Sequence, residues 1–300
     1  MHSEYMKGFL LTALGVTVLS FDALLIRLIE VHSFSLLFWR GFLLSITIAL
    51  WCRYRHPKLP LFCFDAASVR SAILFAISCI AFVSAINLTA VANVLVIISV
   101  TPLFSALLAR VFLGEKSPPI TWIAIVISLF GIGWVLSDSW HGANLAGDLT
   151  ALVCGLALSA KFVNDRATSS RNMTPALIIS GLLIAAISAI AGEPLSLQGN
   201  DWGWMLLLCL IVLPVAYVLI TVGPMRIPAA EVGMLMLLET AMGPLWVWVW
   251  MHEAPSLNIL QGGALIIGTL LIHGLIQWRR SSRKRTVTAK IIPETKNRGL

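Results

Sequence analysis

Apolar runs of about twenty residues follow one another along this chain with only short polar breaks, and no motif constrains the fold as much. They lie near 5–28, 33–52, 68–88, 92–113, 119–137, 147–165, 174–192, 202–222, 229–251 and 257–278. None alternates apolar and polar residues in the period of two that a barrel strand needs, so each reads as a helix. Hydrocarbon offers the backbone no water, so a spanning segment must satisfy its own hydrogen bonds. Composition agrees: 58% of residues are apolar and 12% charged, where a soluble domain carries roughly 25% charge. A soluble surface of this kind would aggregate. The expected fold class is an all-α membrane protein with ten transmembrane helices.

The net charge is +7, and eight of the 21 Lys and Arg fall in the last 22 residues. That placement argues for a membrane anchor and against a nucleic-acid partner. With the N-terminus cytoplasmic, 19 of the 21 lie on the cytoplasmic side, leaving Arg27 and Arg40 towards the other. The loops around Ser139, Gly192 and Ala254 hold no Lys or Arg. This positive-inside bias sets both termini in the cytoplasm. Trp51, Trp122, Trp202, Trp204, Trp250 and Trp278 fall near the ends of the runs, where an amphipathic ring suits the interface. Cys52, Cys63, Cys79, Cys154 and Cys209 are odd in number and form no CxxC, so they read as small apolar fillers rather than disulfides or metal ligands.

The two halves match at an offset near 138 residues. Gly8 pairs with Gly147, Ser20 with Ser159, Arg27 with Arg166, Ala92 with Ala230 and Glu115 with Glu253. The stretch Val111-Phe112-Leu113-Gly114-Glu115 mirrors Val249-Trp250-Met251-His252-Glu253. Five helices per half is an odd number, so the second half enters the membrane upside down. Inverted repeats are the architecture of secondary transporters, with the substrate near the midplane between the halves. The expected units are a first repeat over 1–138, an inverted second repeat over 139–278, and a basic cytoplasmic tail over 279–300 that is disordered and touches anionic lipid.

Phe38-Trp39-Arg40-Gly41-Phe42 in the second run, Thr101-Pro102-Leu103-Phe104-Ser105 leading to Leu113-Gly114-Glu115 in the fourth, and Gly131-Ile132-Gly133 in the fifth carry a family resemblance. Together they resemble the ten-helix EamA-type repeat of the drug/metabolite transporter superfamily. Over residues 5–278 the sequence is most similar to bacterial aromatic amino acid exporters of that superfamily. The resemblance implies a multi-pass exporter in the bacterial inner membrane that moves amino acids, aromatic and other bulky neutral ones, through a central cavity by alternating access. Its partners would be the small-molecule substrate and membrane lipid; the oligomeric state is open. The second repeat departs from the pattern, with Thr240 where the first has Pro102 and its proline, Pro244, shifted by four.

A charge near the bilayer centre costs roughly 2.5–3.5 kcal/mol on insertion scales, so each needs a partner, a cavity or a function. Glu239, near the middle of the ninth run, is the first candidate for a substrate ammonium or an exchangeable proton. Asp22 and Arg40 stand at similar depths and suit either an ion pair or, for Arg40, a substrate carboxylate. Thr101 is the repeat equivalent of Glu239. Trp39, Tyr217, Trp246 and Trp248 are candidates to line an aromatic-accepting cavity, and Met234, Met236 and Met242 an adaptable wall. Lys161, the repeat equivalent of Asp22, is expected to snorkel to the cytoplasmic face or reach Glu231. Asn87 and Asn93 read as caps. Pro102, Pro214, Pro224 and Pro244 should bend or interrupt their helices. Ala151, Gly155 and Ser159 form a small-residue stripe for close helix approach.

The sequence has no G-x-x-x-x-G-K-[ST] loop, no H-E-x-x-H and no G-x-S-x-G. No cofactor or metal is expected, and the chain does not read as an enzyme. A channel of another design remains a rival; a broad drug or metabolite exporter is the nearer one.

Overall fold

The computed structural model describes residues 2–29, 31–55, 60–88, 94, 97–136, 145–191, 201–251, 257–258, 260–273 and 275–276. Among them helices account for ten segments in chain order. The first span runs His2–Leu19 and resumes as Asp22–Leu28; the second is Ser33–Arg55 and the third Ala66–Leu88. The fourth is Thr101–Leu113 and the fifth Pro119–Leu136. The sixth is Leu145–Ala167, the seventh Ala176–Ala191 and the ninth Ala229–Met251. The eighth runs continuously over Asp201–Arg226, and the tenth includes Leu260–His273. The fold is an all-α membrane protein built of two repeats.

Three interruptions shape the bundle. The eighth span widens into a π-turn at Leu208–Val212 just before Pro214. Pro214 has no N–H to give and its ring excludes the carbonyl one turn back, so the ladder loosens there. The fourth span starts at Thr101 after a turn at Ser99 and Val100, with Pro102 in its first turn. It ends at Gly114, whose φ of 65° is the left-handed stop that glycine adopts without penalty. The first span breaks with no proline: the Ser20 hydroxyl donates to the Thr17 carbonyl at 2.6 Å, and the Phe21 N–H bonds Val18 at 3.3 Å in a tighter register. The break begins a new helix at Asp22.

The spans pack as the repeat demands. The first packs on the eighth and the third on the sixth; the fourth packs on the sixth and the first on the ninth. Swapping the repeats turns each member of these couples into the other. The second packs on the seventh and the fourth on the ninth, and both couples map onto themselves. Such exchange symmetry is what two antiparallel copies sharing one axis produce. On that axis Gly41 meets its own equivalent: a Cβ at Gly41 would stand 2.5 Å from the Gly181 carbonyl oxygen. The small-residue stripe of the sixth span finds a partner too, as Gly155 faces Ile98 and Thr101 and the Ser159 hydroxyl donates to the Thr101 carbonyl at 3.1 Å.

A main core joins Leu44, Ile48, Phe162, Leu177, Leu213 and Val232 across both repeats, and a second joins Ile125, Met234, Leu237 and Ile266 of the fifth, ninth and tenth spans. Thr121 and His273 hydrogen-bond at 3.1 Å, and Trp134 donates to Gln261 at 3.2 Å, so the fifth span is also tied to the tenth. The fifth turns Ile123, Val126, Ile127, Phe130 and Trp134 outward along one stripe. An apolar stripe of that length fits lipid. The five cysteines are free thiols, with Cys52, Cys154 and Cys209 buried. The tail, Asn93, Trp278, Glu253 and the side chains of Asn87, Arg27, Pro244 and Trp248 lie outside the described residues.

Candidate functional site

The broken first span delivers Asp22 into the bundle, opposite Arg40 of the second. Arg40 grips it with both terminal nitrogens: Nη1 donates to Oδ1 at 2.9 Å and Nη2 to Oδ2 at 2.6 Å. Nη2 also donates to the hydroxyl of Tyr217, from the eighth span, at 2.9 Å. All three side chains are buried. A fork on a carboxylate is the strongest pairing available to a guanidinium, and it uses up both carboxylate oxygens. The result is a charge-balanced pair within the first repeat, which the Tyr217 hydroxyl ties to the second.

Beside this pair lies a cavity with about 110 Å³ open to the centre of a water molecule, enough for several waters or the head of a small solute. Asp22, Arg40, Thr101, Tyr217 and Glu239 line it, with Ser78, Cys79, Cys154 and Thr240. Leu37, Phe75, Phe82, Leu158 and Met236 supply apolar wall. The lining comes from the first, second, third, fourth, sixth, eighth and ninth spans, so both repeats build it. Glu239 has no hydrogen bond or ion pair among the described residues.

Phe75 and Tyr217 meet edge to face at 4.9 Å and form the wall nearest the N-terminal end of the bundle. Behind them Lys161 lies 5.6 Å from the Phe75 ring and is buried. It pairs with Asp165 at 2.6 Å, one turn along the same helix, and Asp165 also accepts from Ser71 of the third span at 2.7 Å. The expectation that Lys161 snorkels to the surface is therefore corrected. A carboxylate one turn away, already held by Ser71, satisfies the ammonium inside the bundle. Glu231 does not meet Lys161 either; it accepts from the Tyr5 hydroxyl at 2.6 Å.

Further towards that end, polar contacts join the repeats. Arg226 pairs with Glu4 at 3.0 Å, Arg166 with Glu115 at 2.8 Å, and Arg171 with both oxygens of Asp65 at 3.1 and 3.2 Å. The Asn164 amide donates to the Ala67 carbonyl at 3.0 Å. Each contact takes one residue from each repeat.

The seven residues singled out from sequence thus divide. Asp22, Arg40, Thr101, Tyr217 and Glu239 share the cavity. Trp39 and Trp246 do not line it, which corrects the expectation that they would. Trp39 sits edge to face on Trp202 at 4.8 Å, and Trp246 stacks on Phe21 at 4.2 Å while donating to Ser20 at 2.6 Å. Large rings at these places fill the seams beside the break in the first span. The Thr101 hydroxyl donates to the Ile98 carbonyl across the turn before its helix. Of the methionines, Met236 reaches the cavity and Met234 is buried against the fifth and tenth spans. The third-span wall of Phe75, Ser78, Cys79 and Phe82 was not singled out. Its three- and four-residue spacing is a helical stripe that also carries Ser71 and Ser78, but apolar residues dominate the other faces too and leave little contrast.

A family model, the EamA-like transporter family, matches residues 6–137 and again 145–274. The chain belongs to the EamA-like transporter family. The two matches are the two repeats, and the cavity just described lies between them. No curated protein matches the sequence. A solved crystal structure of a protein aligns over 91% of this chain and 98% of its own length, with a TM-score of 0.79 and 19% identity. At that identity the likeness shows the fold alone. The transporter is thus a membrane protein of the drug/metabolite class that moves a small molecule, with lipid as its surround.

Proposed function

We propose that this transporter exports amino acids, aromatic and other bulky neutral ones, across a bacterial inner membrane by alternating access, with both termini in the cytoplasm. The observation that carries the reading is one cavity shared by both repeats, holding at Glu239 a carboxyl with no hydrogen bond or ion pair among the described residues, beside an apolar wall of Phe75, Phe82 and Met236. A carboxylate suits a substrate ammonium and the wall suits a large side chain. The ion pairs that join the repeats among the described residues, Glu4 with Arg226, Glu115 with Arg166 and Asp65 with Arg171, lie at the N-terminal end, which the positive-inside rule assigns to the cytoplasm. That end is then the closed gate, and its polar contacts must part for substrate to enter from inside.

Counterflow in proteoliposomes tests this. Saturable, trans-stimulated uptake of labelled phenylalanine is the expected result. Conductance without saturation indicates a channel, and silence towards all bulky neutral amino acids removes the substrate assignment.

A further inference from the structure

From the charges around the cavity we infer that the transporter reads its substrate through one protonated amine and does not read a carboxylate, so that its natural class includes amines bearing a bulky apolar group and no acid. The inference rests on the cavity being the transport site and narrows what that site takes.

The argument is a charge balance. Three ionisable charges line the cavity: Asp22, Arg40 and Glu239. Arg40 is the one cation among them, and its charge is matched by the Asp22 carboxylate, to which both terminal nitrogens donate, Nη2 donating to the Tyr217 hydroxyl as well. A substrate carboxylate could take Arg40 only by displacing Asp22 and leaving that acid unpaired in the bundle. Stranding a buried charge costs far more than an added contact returns. Another buried cation, Lys161, lies 5.6 Å from the Phe75 ring and is held by Asp165. The Thr101 hydroxyl, a possible donor to an acid, is committed to Ile98. Among the described residues the cavity therefore offers an anionic substrate group no cation that is not already matched, while Glu239 offers a cationic group a carboxyl with no hydrogen bond or ion pair. A carboxyl in a low-dielectric site is disfavoured as a lone charge, and a cationic partner beside it restores the charged form.

Calorimetric titration of the full chain in lipid nanodiscs with phenethylamine, phenylalanine amide, phenylalanine and 3-phenylpropionate tests it. The amine and the amide should bind at least as tightly as phenylalanine, and the acid should not bind. Glu239→Gln should weaken both amines about tenfold or more, the loss of one charge-assisted contact, while Glu239→Asp keeps part of the affinity. The wild-type comparison needs no variant to fold. Binding of 3-phenylpropionate as tight as that of phenethylamine, phenylalanine much tighter than its amide, or no amine bound at all would overturn the inference. Amine binding without phenylalanine counterflow would sink the amino-acid reading and leave this one standing. Counterflow that demands the carboxylate would do the reverse.

Discussion

Asp22 in the first span and Lys161 in the sixth stand at matching positions of the two repeats, yet they carry opposite charges. Each is buried, and each is held in an ion pair at 2.6 Å. Asp22 takes its partner from another helix and, through Arg40, a third contact from the opposite repeat at Tyr217. Lys161 takes its partner from its own helix, one turn on, and its carboxylate reaches the opposite repeat at Ser71. The first pair lines the cavity; the second lies behind the Phe75 and Tyr217 wall. The two repeats supply equivalent frames, and a charge reversal at one register leaves one pair lining the cavity and the other packed behind its wall. An inverted repeat gives symmetric motion without requiring a symmetric site.

The largest effects should come from breaking either pair. Asp22→Asn leaves Arg40 buried without its carboxylate, and Asp165→Asn does the same to Lys161. Removing one partner of a buried pair costs about 3–5 kcal/mol, so thermal melting in detergent should fall steeply for both. Ligand binding then separates them. Asp22→Asn frees Arg40 to neutralise Glu239, so amine binding should collapse. Asp165→Asn leaves the cavity walls intact, and amine affinity should hold in the protein that remains folded. Equal loss of binding in both would erase the distinction between the pair that lines the cavity and the pair behind its wall.

How far such a contrast could be read from sequence depends on what each residue touches. Run length and charge sorting gave the helices, because lipid permits so few alternatives. Gly41 and Gly181 are a fold-level match that sequence shows only as two glycines in one register. Their mutual approach appears when the second span crosses the seventh. Asp22 and Arg40 announced themselves as costly intramembrane charges, and their pairing was one of two open readings. Lys161 announced itself equally and misled, since its distance from a helix end suggested snorkelling, while Asp165 and Ser71 were close enough to hold it inside. Trp39 and Trp246 were chosen for ring chemistry, but aromatic residues fill seams as readily as they line cavities. In a helix where apolar residues dominate every face, sequence carries little sign of which face looks inward.

A middle-sized effect should follow from the glycine crossing. A methyl added at Gly41 would press on the Gly181 carbonyl and, at 2.9 Å, on the Ala185 nitrogen, both backbone atoms that cannot turn aside. Overpacking of this kind costs about 1–3 kcal/mol, and it should loosen the packing of the second span on the seventh, one of the two couples that map onto themselves. Gly133→Ala, where nothing lies within 4 Å, is the control and should melt no lower than wild type. Equal melting of Gly41→Ala and Gly133→Ala would show that the axis is not tightly packed.

The smallest effect belongs to the exposed counterpart of the buried pairs, Asp65 with Arg171, which also bridges the repeats. Asp65 lies just before the third span. Hydrogen bonding from the Ser68 side chain, then from its backbone N–H, and the nearby Arg171 charge hold its carboxyl below the usual aspartate range. A carboxyl lowered on folding adds stability at pH above its unfolded value, and that stability is lost as pH falls through the lowered folded value. Asp65→Asn should therefore melt slightly below wild type near pH 7, and the gap should narrow as pH falls below the unfolded aspartate value of about 3.9 and close once it passes the lowered folded value. Salt should narrow the gap as well, because water and ions reach this pair, and should leave the Asp22 and Lys161 pairs unmoved. A gap that acid closes but salt leaves unchanged would mean Asp65 acts through its hydrogen bonds to Ser68 rather than as a charge tying the two repeats together.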